Sequence, residues 1–248
     1  MNFKRILLIL AGIIVAVLAG LFLYFWLLDR QEQLQGMPPY PLELGSFDTV
    51  ESTIIDPATL LEDIRSGKKL VLQATTTDKP PFLMPIGWSQ NDYLKIAQAY
   101  QKAIWQDDPN LWHLYKALFS TTCDNASGKF RDAEFFYYQE VTQGGESLYS
   151  VRAIEIHPEY GYLDWGGDTF YPRPKSGGWT EIDLESIAKV PAEQALALAD
   201  QRGGKDFRNT LNNICNIDVD MWPWGFYRSD WKVLYTGKTS TKIWIPAK

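Results

Sequence analysis

Four aspartates stand at spacings that acid–base chemistry can use. Asp164 and Asp168 flank Trp165-Gly166-Gly167, and Asp218 and Asp220 alternate onto one face of an apolar stretch that reads as a strand. Paired carboxylates of this kind protonate and deprotonate in glycoside hydrolysis, or ligate calcium. The same residues also cap turns and solvate sheet faces. No Asp-x-Asp-x-Asp-Gly loop accompanies them, and no Gly-x-Ser-x-Gly, Walker or Rossmann motif occurs in the chain. The two histidines, His113 and His157, have no partner at a metal-ligand spacing. The residue types therefore assign no catalytic group, no metal and no cofactor.

Cys123 and Cys215 are the two cysteines. An even count in a chain placed outside the cytoplasm favours a disulfide, worth about 4–5 kcal/mol in the chain-entropy model for so wide a loop. Two buried free thiols are the alternative. Aromatic clusters are the remaining candidates. Trp165, Phe170 and Tyr171 lie among glycines, and Trp222, Trp224 and Phe226 surround Pro223. Large aromatics in loops can anchor a partner. The competing reading is that they plug the open ends of sheets.

These residues need elements to hold them. Asp56, Pro57, the stripe Leu60, Leu61 and Ile64, and Gly67 predict a short helix. Ser89 and Asp92 form a capping box ahead of Tyr93, Ile96, Ala97, Tyr100 and Ile104, which predicts a helix to about Trp105. Leu111–Phe119 reads as a short helix or the approach to a strand. From Arg131 the period falls to two: strands over Phe135–Val141, Leu148–Ile156 and Tyr162–Trp165 are separated by turns at Gly144-Gly145 and Glu159-Tyr160-Gly161. Glycines and prolines predict a loop over Gly166–Gly178. A third helix opens at Pro191 and stops at Gly203-Gly204. Strands then follow at Ile214–Val219, Trp231–Tyr235 and Ile243–Ile245. The class is α+β, with two helix-plus-antiparallel-sheet units at 47–178 and 179–248.

Lys4 and Arg5 precede an apolar run from Ile6 to Leu28, 23 residues long. As a helix it would measure about 34 Å, enough to cross a bilayer core of about 30 Å. The basic residues before it put the N-terminus in the cytoplasm and residues 29–248 outside. A cleaved signal peptide is the alternative, but the run is long for one. Residues 1–28 thus read as the cytoplasmic end and transmembrane helix, and 29–46, with Pro38, Pro39 and Pro41, as a stalk. The part beyond the span keeps 22 of the 24 basic residues and all 30 acidic ones, a net charge of −8. That charge excludes nucleic acid as a partner.

Val190-Pro191-Ala192-Glu193-Gln194-Ala195-Leu196-Ala197-Leu198-Ala199, with Gly203-Gly204 and Trp231-Lys232-Val233-Leu234-Tyr235 after it, resembles the PepSY domain. Trp165-Gly166-Gly167-Asp168, Trp179-Thr180-Glu181-Ile182-Asp183-Leu184 and Asn212-Asn213-Ile214-Cys215 are similar to motifs of uncharacterised membrane-anchored bacterial proteins. The resemblance implies a PepSY/cystatin-like helix-and-sheet unit and an extracytoplasmic binding or protease-regulating role. It carries over no functional residue.

The expected function is that of a single-pass, membrane-anchored, extracytoplasmic binding or regulatory protein, not an enzyme. Its partner would be a protein or an envelope component held by the aromatic loops. The alternative is a carbohydrate-active envelope hydrolase using paired carboxylates. Protease added to spheroplasts is expected to digest the chain beyond the stalk; complete protection of residues 47–248 would reverse the orientation.

Overall fold

The computed structural model describes residues 47, 49–72, 87–105, 108–125, 128–173, 182, 189–221 and 230–247, with 15, 17–24 and 26 near the N-terminus. Those last residues are helical and exposed, and the rest of the expected span and the whole stalk lie outside the described residues. Among the described residues no helix is long and apolar enough to cross a membrane.

Eight strands make one antiparallel sheet: β1 (Val50–Ile54), β2 (His113–Thr122), β3 (Asp132–Gln143), β4 (Glu146–His157), β5 (Tyr162–Pro172), β6 (Asn216–Met221), β7 (Asp230–Thr236) and β8 (Ser240–Pro246). Their order is β1-β5-β4-β3-β2-β6-β7-β8. The helices are α1 (Leu60–Arg65), α2 (Gln90–Ile104), α3 (Ala192–Ala199) and α4 (Lys205–Thr210). The two units expected from the sequence meet edge to edge, because β2 pairs with β6. One main core runs under both, from Leu163 and Ile154 to Val233 and Ile245.

Period-two patterning sorts the strands as it must. On β4, Ile154 and Ile156 enter the helix-side core, while Tyr149, Val151 and Ala153 join a second cluster on the opposite face with Phe47, Tyr115, Phe136 and Tyr138. Helix α2 starts as its capping box predicts. The Ser89 side chain accepts from the Asp92 backbone, and the Asp92 carboxylate accepts from the Ser89 backbone. Its apolar stripe buries Tyr93, Ile96, Ala97 and Tyr100. The starts of α2 and α3 are stitched to each other. Gln90 N–H donates to Glu193 Oε1 at 2.6 Å, and Ala192 N–H donates to Gln90 Oε1 at 2.8 Å. Orphan amides at two helix starts are thereby satisfied across the halves.

Two expectations are corrected. Leu111–Phe119 is neither a helix nor an approach: from His113 it is β2, a central strand whose Ala117 and Phe119 are fully buried. The region after Gly166 is not yet a loop, since β5 continues to Pro172. Gly166-Gly167 serve the strand there: a Cβ on Gly167 would stand 2.2 Å from the Thr49 hydroxyl, so only glycine lets the β1 end approach. Gly203-Gly204 end the helix as expected: Arg202 and Gly203 leave helical geometry, Gly203 at φ +108°, and a separate helix, α4, starts at Lys205. Gly204 lets this turn press on β7, where a Cβ would fall 2.2 Å from the Tyr235 hydroxyl.

Cys123 and Cys215 form a disulfide pair with Cα atoms 5.2 Å apart, just past the end of β2 and just before β6. Cys123 N–H also donates to Cys215 C=O at 2.8 Å. The bridge closes the β2–β6 seam covalently. Replacing both cysteines with serine is expected to remove about 2–5 kcal/mol and to lower the melting temperature by roughly 10 °C. A calorimetric shift under about 2 °C would mean that the seam holds without its bond.

Candidate functional site

Among the described elements the helices pack on one face of the sheet, and the opposite face gathers the ionisable groups. The register aligns Ser52, Asp164, Glu155, Glu134, Leu118, Asp220, Lys232 and Trp244 in one row across all eight strands. A second row holds His157, Asp132, Ser120 and Asp218. Each residue reaches this face because period-two alternation puts its apolar neighbours, such as Ile156, Phe135, Val219 and Val233, into the helix-side core.

Five charges of the first row and its neighbour are deeply set. Lys116 and Asp220 are each 2% exposed, Asp164 7%, and Glu134 and Lys232 each 8%. Lys232 Nζ donates to Asp220 Oδ2 at 2.6 Å, and Lys116 Nζ lies 4.0 Å from Glu134 Oε2. Lys116 also sits 4.5 Å over the Phe136 ring, a cation–π contact. Burial pushes the Asp220 carboxyl up; Lys116 pulls it back and Asp218 raises it further. Burial and the Lys242 charge push the Lys232 ammonium down. Burial likewise raises Asp218, against a 2.8 Å hydrogen bond from Ser120 Oγ and the charge of Lys116. These shifts move the carboxyls and the ammonium toward each other, as active sites also do.

The second cluster is built on the β4–β5 hairpin. His157 Nδ1 lies 3.0 Å from Asp132 Oδ1, and Nε2 lies 3.1 Å from Glu155 Oε1. Burial of the ring pulls its pKa down, but hydrogen bonds and charges of Asp132 and Glu155 prevail and push it up to about 9. The Tyr162 ring lies against the imidazole, centroids 4.5 Å apart and tilted by 41°. Ser52 Oγ donates to Asp164 Oδ1.

The sequence-selected residues fall differently. Trp165 is 9% exposed and points into the helix-side core, so it packs rather than presents its ring. Phe170 is 46% exposed, and Tyr171 packs against the apolar cluster of Phe47, Tyr115, Phe136 and Tyr138. All three stand on β5, not in a loop. Trp222, Trp224 and Phe226 lie outside the described residues. Asp168 does not pair with Asp164. It accepts from Arg152 Nε at 2.6 Å and from Ser150 Oγ at 2.9 Å, which hold its carboxyl below the usual range although burial opposes them. Arg152 in turn lies 4.3 Å over Trp112 and 5.5 Å over Trp105. Asp218 and Asp220 do share a face, as their spacing predicts. Lys116, Glu134, Glu155 and Lys232 had no local signal; only cross-strand register brings them together.

The Asp220–Lys232 pair gives a sharp expectation. Asp220→Ala alone should destabilise by about 3–5 kcal/mol, by stranding the ammonium. Asp220→Leu with Lys232→Met should be neutral or stabilising by about 1–4 kcal/mol. Equal losses in denaturant melts of both variants would mean the two side chains do not act as a unit.

No family model matches the chain, and no curated protein matches it in sequence. Among solved structures, a MaoC-like dehydratase from Phytophthora capsici is similar at 10% identity over 83% of this chain and 97% of that one, with a TM-score of 0.20. A score that low carries no argument about fold or activity.

Proposed function

We propose that this chain is a membrane-tethered, extracytoplasmic binding protein without catalytic activity, whose ligand site is the charged face of the sheet. One observation carries the reading. The row from Asp164 to Lys232 keeps charged side chains at buried positions, although an apolar row of similar volume would be as stable or more so. Charge retained at such a cost is best explained by recognition of a polar or charged partner. The tether is the apolar run Ile6–Leu28. The resemblance of Val190–Ile245 to the PepSY domain supports a role in binding or regulation, and α3 followed by β6, β7 and β8 has the helix-then-strands order of that unit.

The aromatic contribution narrows to residues that can touch a partner. Trp244, 42% exposed at the β8 end of the row, remains on the charged face, whereas Phe170, 46% exposed, alternates with Tyr171 onto the other face. Trp222, Trp224 and Phe226 stay in the proposal on their sequence alone. A second reading, an envelope hydrolase, draws on one observation: Asp218 and Asp220 stand two residues apart on one face, both with raised carboxyl pKa values. A raised carboxyl beside another is the pattern of a general acid.

Photo-crosslinking in intact cells separates face from fold. A photoreactive residue at position 244 is expected to capture an envelope component, while one at Ala197, exposed on α3, captures none. Capture from both positions, or from Ala197 alone, would defeat the face assignment. Turnover of chromogenic glycosides that disappears in Asp220→Asn would establish the hydrolase instead.

A further inference from the structure

Glu155, His157 and Asp164 each offer one ligand atom, and these atoms all lie within 4.8 Å of one another. Glu155 and His157 are two residues apart on β4 and so share a face; Asp164 stands directly opposite Glu155 on β5. We propose that this hairpin holds one first-row divalent metal ion, of the zinc class, through His157 Nε2 and one oxygen each from Glu155 and Asp164. The proposal rests on this geometry and not on the binding function assigned above.

Three independent features point to a cation. The first is spacing. His157 Nε2 and Glu155 Oε1 are 3.1 Å apart. Two ligands each about 2.0–2.2 Å from a shared zinc ion stand roughly 3–3.5 Å apart, so this pair already has the spacing, and the Asp164 oxygen, within 4.8 Å of both, closes by side-chain rotation. The second is support. Asp132 Oδ1, 3.0 Å from Nδ1, lies where it takes the ring's other N–H and aims Nε2 at the carboxylates. That is the carboxylate–histidine arrangement that fixes the tautomer of metal-bound histidines. Ser52 Oγ, donating to Asp164 Oδ1, orients a second ligand. The third is repulsion. The register places Glu134 opposite Glu155, and Glu155 opposite Asp164. Lys116 beside Glu134 and His157 beside Glu155 offset only part of this line of carboxylates, and a divalent ion between Glu155 and Asp164 would offset the rest.

The donor set selects the ion. One imidazole and two carboxylates suit zinc and its first-row neighbours. Three protein ligands are too few for calcium, which takes six to eight oxygens. Glu155 is 30% exposed at its side chain and His157 12%, so an ion has access and open positions face solvent. Loading sends the proton on Nε2 to solvent, as ligand binding by histidine requires. The cysteines offer no competing thiolates, since they are paired.

The full-length chain in detergent, stripped of metal, is titrated calorimetrically with zinc chloride, and in parallel with calcium and magnesium chloride. One zinc per chain is expected, with neither of the other ions binding comparably. Glu155→Gln and Asp164→Asn should each weaken zinc by at least about tenfold, and Asp132→Asn, which leaves every ligand in place, by roughly 10–100-fold. Without metal, Glu155→Gln should still melt cooperatively, at a temperature no more than a few degrees below wild type, because it removes one partly exposed ion pair with His157. The wild-type chain supplies a readout that needs no variant. One equivalent of zinc should move the ring resonances of His157 and leave those of His113, the second of its two histidines. No stoichiometric zinc, affinity indifferent to both carboxylate variants, or a shift confined to His113 would each overturn the site.

Discussion

Strand β2 meets β6 along six register pairs, from Ala117↔Met221 to Thr122↔Asn216. The contact joins segments nearly a hundred residues apart, and the rest of the molecule is arranged around it. With β2 and β6 paired, the two groups of strands form one sheet, and the starts of α2 and α3 meet on one face. The Gln90–Glu193–Ala192 stitch, the Cys123–Cys215 bridge and the Phe119–Trp231 contact all cross this seam. Closing so long a loop costs entropy before any contact rewards it. That cost is offset only when the apolar sides of both halves, Phe119 and Phe135 with Val219 and Val233, are buried together.

The two faces of the sheet use the same strands for opposite ends. Toward the helices, burial of aliphatic and aromatic side chains supplies the driving force. On the other face the strands carry lysines, aspartates and glutamates that the core does not need. Low-polarity surroundings make every mismatch there expensive and every match strong. The ions accordingly sit in partnered sets, Lys232 with Asp220 and Lys116 with Glu134. Division of labour between faces lets the chemistry of one vary without disturbing the packing of the other.

Local signals were legible, and register was not. The capping box at Ser89 and the alternation of Leu148–Ile156 located α2 and β4 because each pattern is complete within a dozen residues. The cysteine pair was legible by count alone. β2 was ambiguous because it is buried on both faces, so its apolar residues lose the two-residue rhythm, and Lys116 sits among them. The extension of β5 was hidden by Gly166-Gly167, whose need for space comes from Thr49, a residue distant in sequence. The Glu155–His157–Asp164 cluster was missed for the same reason. His157 reads alone along the chain, and its partners are set by pairing with β3 and β5.

The position of the disulfide also decides which parts of the protein would feel a pull. Tension applied between Phe47 and Ala247 travels along the chain to Cys123, crosses to Cys215, and leaves through β6, β7 and β8. Residues 124–214, with β3, β4, β5, α3 and α4, form a covalent side loop that bears no load. Force acting across the strands would peel β7 and β8 away like a zip, and β1 from β5, while the β3–β4–β5 meander stayed folded behind its bond. Asp132, Glu155, His157 and Asp164 lie within that loop, whereas Ser52, which orients Asp164, lies outside it on β1.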